Sequence, residues 1–382
     1  MKKTISVLLS LMVIAPLILC GAASGAEDVA PFDVSAKSAV LMDSGTGTVL
    51  YSKNADEPLP PASVTKIMTL LLVMEAVDSG NLSLDEEISV SEHAAGMGGS
   101  QIFLEAGETM KTDDLIKSVV IASANDAALA LAERVAGSEE AFVAKMNERA
   151  QELGMKNTNF ENVTGLDDDT TNHVTSAYDI ALMSRELMKH KKIFDYSTKW
   201  MDSVRDGAFG LTNTNRLIRF YKGATGLKTG STSKAKFCIS ATAERDGLHL
   251  IAVIMGSDTR DTRNEAAKTL LDWGFANYGV YRNGGGKVGE IKVDGGKERT
   301  VGAVCPSCEL LLPRDKTGTV TQEVMLKESV PAPVKAGDPV GKIRYLSDGE
   351  VLSEADVTAA SDVGRVGWGD IFVMLLRSLL LR

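Results

Sequence analysis

The run Pro60-Pro61-Ala62-Ser63-Val64-Thr65-Lys66-Ile67-Met68-Thr69-Leu70-Leu71-Leu72 constrains this chain more than any other stretch. Two prolines hold the backbone extended and suit the first turn of a helix. Ser63 then opens an apolar helical run. Ser63 and Lys66, three apart, share one helix face with Cβ atoms about 5–6 Å apart. A serine hydroxyl is a poor nucleophile at its free pKa and needs an adjacent base. A lysine becomes that base when burial lowers its pKa. The helix start adds unpaired N–H groups and a positive dipole, which suit a developing oxyanion. Ser and Lys three apart are nevertheless common by chance, and alone the pair reads as a solvated helix start.

Two later words change that weighting. Ser123-Ala124-Asn125 falls between two helical runs, 115–121 and 127–132. By itself it reads as a helix cap, with Asn125 or Asp126 meeting the next helix's amides. Lys228-Thr229-Gly230 follows a glycine-broken loop and precedes the strand-like run 235–241, and by itself reads as a hairpin turn. In the order S-x-x-K, S-x-N, K-T-G, about 60 and about 100 residues apart, the three words match the signature of penicillin-binding proteins and class A β-lactamases. On these residues the chain resembles the low-molecular-mass penicillin-binding proteins of the D-alanyl-D-alanine carboxypeptidase family. The likeness runs through nearly the whole chain. It includes Gly165-Leu166-Asp167-Asp168 with His173, Thr175-Ser176-Ala177-Tyr178-Asp179, and the longer Gly226-Leu227-Lys228-Thr229-Gly230-Ser231-Thr232-Ser233-Lys234-Ala235. Met255-Gly256 and Arg263 follow downstream as they do in that family.

With 382 residues and 44% hydrophobic content, the chain can bury a large core and two domains. A net charge of −10 argues against a nucleic-acid partner. His93, His173, His190 and His249 are scattered without H-E-x-x-H spacing, so neither a metal site nor a cofactor is expected. Residues 1–26 read as a secretory signal peptide: Lys2-Lys3, an apolar stretch from Ile5 to Leu19, and the small-residue site Ser24-Gly25-Ala26. Cys20 does not read as a lipidation site, because bulky Leu19 precedes it. Cys238 reads as a small buried apolar residue. Cys305-Pro306-Ser307-Cys308 reads as a structural or incidental pair. A local disulfide suits an exported chain, no thioredoxin-like pattern surrounds it, and zinc would need two more ligands.

Along the chain, 39–42 and 48–51 read as a hairpin. The stretch 79–107 is loop-rich and expected near the cleft. A helix from about Asp126 ends at Gly137, another runs from Ser138 to Gly154, and Ser176 opens a third ending near His190. Paired strands at 237–243 and 248–255 precede a helix at 263–278. Strands at both ends thus bracket a helical middle, an α+β domain with one antiparallel sheet. The resemblance implies the β-lactamase/transpeptidase-like fold for this catalytic domain, placed at 30–280. Gly284-Gly285-Gly286 marks a boundary. A small all-β domain at 287–363 follows, as the family also carries. Residues 367–382 are too short and interrupted to span a bilayer; they read either as a helix docked onto the β module or as an amphipathic anchor lying in the membrane surface, and the resemblance favours the anchor.

What the resemblance implies is specific. Ser63 attacks the penultimate D-alanine carbonyl of a peptidoglycan stem peptide, with Lys66 as base and Ser123 relaying a proton to the leaving amine. Asn125 offers its amide to the substrate backbone, and Lys228 keeps positive charge in the cleft, lowering the Lys66 pKa. Backbone N–H groups of Ser63 and Ser231 form the oxyanion hole, while Thr229, Gly230 and Arg263 help hold the substrate and its terminal carboxylate. β-Lactams, as mimics of acyl-D-Ala-D-Ala, are the expected inhibitors, and the outer face of the cytoplasmic membrane the expected address. Three rivals share the motifs. A serine β-lactamase would release hydrolysed penicillin quickly, a transpeptidase would form crosslinks, and a silent cell-wall scaffold would release no D-alanine.

Overall fold

The computed structural model describes residues 32–380; the signal peptide expected at 1–26, Cys20 within it, and Arg382 lie outside the described residues. The hairpin β1 (Ser38–Asp43) and β2 (Val49–Lys53) is turned by Asp43, whose carboxylate accepts from the Thr46 N–H at 2.8 Å and the Thr46 hydroxyl at 2.7 Å. A 3-10 turn, Ala62–Thr65, runs into α1 (Lys66–Asp78). There follow β3 (Glu87–Ser89), α2 (Glu92–Ala95), β4 (Thr109–Lys111), α3 (Thr112–Ile121), α4 (Asn125–Ala136) and α5 (Glu139–Glu152). α4 stops at Gly137, which takes the left-handed conformation at φ 87° without strain. Next come α6 (Ala177–Leu187), capped by Ser176, then α7 (Phe194–Ser197), the ribbon β5 (Met201–Val204) and β6 (Phe209–Thr212), and α8 (Leu217–Phe220). Three long strands, β7 (Ala224–Thr232), β8 (Lys236–Arg245) and β9 (Leu248–Ser257), lead to α9 (Arg260–Asn277) and β10 (Tyr278–Asn283). The rest is β11 (Gly286–Asp294), β12 (Thr300–Cys305), β13 (Cys308–Pro313), β14 (Thr321–Leu326), β15 (Ser329–Pro331), β16 (Pro339–Ser347), β17 (Glu350–Ala359) and α10 (Trp368–Leu380).

The chain forms two compact units, one of them holding the described chain up to Gly284 together with Ser307–Thr319. Its sheet is antiparallel in the order β2-β1-β9-β8-β7. Period-two alternation makes both sheet faces apolar. On β9, Ile251, Val253 and Met255 join one core with α1, α3 and α4, while Leu250, Ala252 and Ile254 join a second core under Leu270, Leu271 and Phe275 of α9. α1 is apolar nearly all round, with Ile67, Met68, Leu70, Leu71, Val73 and Met74 buried, so it can only be a central helix. β13 pairs antiparallel with β10, with Leu312 opposite Gly279 and Leu310 opposite Tyr281.

The other unit holds Gly285–Pro306 and the chain from Val320 onward. Its six strands run in the order β14-β16-β17-β12-β11-β15, antiparallel apart from the parallel β11–β15 pair. Val301, Ala303, Val340, Ile343, Tyr345 and Val357 are buried. α10 exposes Trp368, Ile371, Phe372, Val373 and Leu376, and its Asp370 pairs with Lys297 at 3.3 Å. Among the described residues no helix is long and apolar enough to cross a membrane. Cys305, ending β12, and Cys308, opening β13, are both buried.

Three local expectations shift. Ser63 lies in the 3-10 turn, and the α-helix proper begins at Lys66. Lys228-Thr229-Gly230 lies inside edge strand β7, not in a hairpin turn. Glycines lower strand propensity, so the word reads as a turn, but the close approach of the Ala62–Thr65 turn leaves no room for a side chain at Gly230. The helix expected from Arg263 begins at Arg260, because Thr259 and Thr262 form a reciprocal capping box.

Candidate active site

Four elements converge on one cleft of about 590 Å³, whose walls include Ser63, Ser100, Ser123, Thr229, Gly230 and Ser231. The nucleophile turn and α1 present Ser63 and Lys66 with Nζ 3.0 Å from Oγ. The Lys66 amine also donates to the Thr164 carbonyl at 2.9 Å. Lys66 is wholly buried. Burial first, and the Lys228 charge second, hold its pKa well below the ordinary lysine value, while Asp126 pulls the other way. The amine is thereby placed to accept a proton from the Ser63 hydroxyl.

Ser123 sits between α3 and α4 at φ 65°, a conformation a serine adopts only under constraint from its surroundings. Its neighbours supply that constraint. Asp126 is buried and accepts from the N–H groups of Ile102 at 3.1 Å, Leu104 at 3.1 Å and Ala127 at 2.8 Å, tying α4 to the loop beside the cleft. Lys228, arriving on β7, donates to Ser123 Oγ at 2.8 Å and to the Thr229 carbonyl at 2.9 Å. Burial, then Arg263, lowers the Lys228 pKa to about 7.

Gly230 shows how tightly β7 meets the turn. A Cβ there would stand 2.8 Å from the Ser63 nitrogen and 2.9 Å from the Pro61 oxygen. β7 is one of the sheet's two edge strands, β2 being the other, and its outer side beside the cleft is open to pair with an extended peptide. Thr229 donates its hydroxyl to Thr214 Oγ1 at 2.8 Å. Arg263 is buried, lines the cleft and donates to Asn264 Oδ1 at 2.8 Å. Burial first and Arg260 next bring its pKa to about 10. Arg216 and Arg260 line the same cleft, and none of its lining residues is acidic, so it favours an anionic ligand.

The structure thus gathers Ser63, Lys66, Ser123, Lys228, Thr229, Gly230, Ser231 and Arg263 at one place. Asn125 is the exception: it is buried and outside the cleft lining, with its amide donating to the Gly98 carbonyl at 2.7 Å. Its Oδ1 is buried with no partner among the described residues. Sequence reasoning missed the Thr164 carbonyl, Thr214, Arg216 and Arg260. A main-chain acceptor has no residue signature, and nothing in the spacing of 214, 216 and 260 distinguishes them from surface residues.

Comparison with known proteins identifies the family of the chain. The family described as D-alanyl-D-alanine carboxypeptidase matches residues 25–259, and the penicillin-binding protein 5 C-terminal domain matches residues 280–365. D-alanyl-D-alanine carboxypeptidase DacF of Bacillus subtilis is 44% identical over 342 residues, 87% of either chain. Penicillin-binding protein 5 of Haemophilus influenzae superposes with a TM-score of 0.73 at 30% identity, covering 88% of this chain and 100% of that one. Penicillin-binding protein D2 of Listeria monocytogenes, solved in an ampicillin-bound form, superposes at 0.59 with 33% identity, covering 64% of this chain and 100% of that one. The chain therefore belongs to the D-alanyl-D-alanine carboxypeptidase family, peptidase S11, and carries the penicillin-binding protein 5 C-terminal domain.

Proposed function

We propose that this protein is a serine-type D-Ala-D-Ala carboxypeptidase that trims peptidoglycan pentapeptide stems and is acylated by β-lactams. The observation that carries the reading is the double pairing in one cleft, Lys66 Nζ 3.0 Å from Ser63 Oγ and Lys228 Nζ 2.8 Å from Ser123 Oγ. Ser63 Oγ attacks the carbonyl carbon of the penultimate D-alanine while its proton passes to Lys66 Nζ. The backbone N–H groups of Ser63 and Ser231 take the oxyanion, and loss of one such donor typically costs about 3–4 kcal/mol. As the carbon–nitrogen bond breaks, Ser123 hands a proton to the leaving amine and is reprotonated from the lysine pair. Terminal D-alanine departs, and water then cleaves the Ser63 ester and restores the hydroxyl. Lys228, Thr229 and Arg263 hold the terminal carboxylate, while Gly230 keeps β7 close enough for the substrate backbone to pair along it. Asn125 is expected to exchange its Gly98 carbonyl for the substrate backbone on binding.

Further parts of the proposal concern address. The apolar leader at 1–26 directs export, and α10 lays its exposed Trp368, Ile371 and Phe372 into the outer surface of the cytoplasmic membrane. The decisive experiment is intact-protein mass spectrometry after a fluorescent penicillin. The wild-type protein should gain one adduct at Ser63 and Ser63→Ala none. Persistent labelling of Ser63→Ala would refute the assignment.

A further inference from the structure

His173 belongs to neither lysine pair, yet it touches Thr65, the residue before Lys66. The irregular strap 157–172 and the following His173 cross the amino end of α1 and are held there at three points. The Thr164 carbonyl accepts from Lys66 Nζ at 2.9 Å, the Val163 carbonyl accepts from Thr69 Oγ1 at 2.6 Å, and His173 Nε2 lies 2.8 Å from Thr65 Oγ1. There is no slack between strap and turn, since a Cβ on Gly165 would stand 1.9 Å from the Ala62 oxygen. The Glu161 N–H donates to His173 Nδ1 at 3.0 Å. A main-chain N–H can only donate, so Nδ1 is the acceptor nitrogen and the ring proton is on Nε2, directed at Thr65. Both His173 and Thr65 are buried.

We infer that His173 is a positioning residue for the Ser63–Lys66 pair: its imidazole pins the strap to the nucleophile turn and so fixes the carbonyl that holds the Lys66 amine. This rests on the roles proposed above for Ser63 and Lys66. Thr65 is the residue before Lys66, so the hydrogen bond at its hydroxyl acts on the same turn that carries the reacting oxygen. Of the carboxylates facing the ring, Glu161 caps the Thr171 and Asn172 N–H groups at 2.9 and 3.0 Å, and Asp167 accepts from the Thr232 hydroxyl. Both favour the charged ring, but burial outweighs them and brings the His173 pKa to about 4. Protonation would turn Nδ1 into a second donor facing the Glu161 N–H and release the strap from one end.

The test is stopped-flow acylation of the full chain by a chromogenic β-lactam, separating the acylation constant from the initial dissociation constant. His173→Ala and Thr65→Val should each lower the acylation constant by between about tenfold and a hundredfold, the range for a slightly misplaced reacting group. The dissociation constant should stay within about twofold, and the double variant should lose no more than either single one, because both remove the same bond. His173→Gln, whose side-chain amide can again donate to Thr65, should recover part of the rate. Acylation within about twofold of wild type in folded His173→Ala would overturn the inference, as would losses that multiply in the double variant. Should the variants fail to fold, nitrogen-15 shifts of His173 in the wild-type protein decide. An Nε2–H ring that stays neutral at pH 5 supports the inference, whereas an Nδ1–H ring or an ordinary pKa near 6.5 defeats it. A silent Ser63→Ala with a full-speed His173→Ala sinks only this inference, while a labelled Ser63→Ala sinks the proposed function.

Discussion

In the proposed mechanism two buried lysines have opposite tasks. Lys66 has its pKa held well down by desolvation, which favours the free amine, and activity should fall as pH drops and the amine is protonated. Lys228 has to be charged to receive a carboxylate, and its charge fades as pH rises through about 7. A bell-shaped profile of kcat/KM, which reports the free enzyme, is therefore expected for acyl-D-Ala-D-Ala. The alkaline limb should disappear for a substrate whose terminal carboxylate is amidated, and an unchanged limb would remove Lys228 from carboxylate binding. The same burial has a stability consequence. Between about pH 7 and the ordinary lysine value of 10.5 the unfolded chain binds more protons than the folded one. Stability thus rises with pH across that window, and below it the full cost of the buried amine remains. Lys228→Met should abolish acylation yet stabilise the protein at pH 7 by roughly 1–2 kcal/mol, a gain of the size seen when function-related strain is relieved. Thermal melting beside penicillin labelling checks both halves.

At the scale of elements, the site depends on how closely edge strand β7 approaches the 3-10 turn. Gly230 has an ordinary strand backbone, so its small size alone is what the contact requires. Gly230→Ala must push β7 away from the Ser63 and Val64 nitrogens, each within 2.9 Å of the added carbon. Acylation should drop about a hundredfold, the cost of misplacing reacting groups by about 1 Å, with only a small change in melting temperature. A rate near wild type would mean that the strand can retreat without disturbing Lys228 and Ser123. α1 is the counterpart: buried on nearly every side, it gives Lys66 no route to water and keeps its amine on Ser63 and Thr164.

For the whole molecule, the proposed anchor is α10. Its 13 described residues span about 20 Å, short of the roughly 30 Å of a hydrocarbon core, a length that suits lying in the interface. The full chain should sediment with phosphatidylglycerol vesicles, and a chain ending at residue 366 should stay in the supernatant while acylating at the wild-type rate. Equal sedimentation of both would end the anchor proposal. The catalytic unit also depends on the chain beyond residue 284, since β13 completes β10, and Arg314 donates to the Phe275 carbonyl at 2.6 Å.

Ser63 and Lys66 were legible from local spacing, one helical turn apart, while Ser123, Lys228, Thr229 and Gly230 were singled out only by the order of the three motifs and the family resemblance they carry. The apolar run after Ser63 likewise read as a helix, and Gly137 and Ser138 as a helix end and the next helix's start. Other features came only from long-range packing. A linear chain has no means of marking that a carbonyl at 164 meets an amine at 66, or that Thr214 meets Thr229. It equally leaves unmarked that Asn125 turns toward Gly98, or that a strand at 308–313 returns to pair with 278–283. Main-chain acceptors look alike in every residue, and a lysine's pKa is set by how much water its neighbours exclude, which is decided only when the strands and helices close around it.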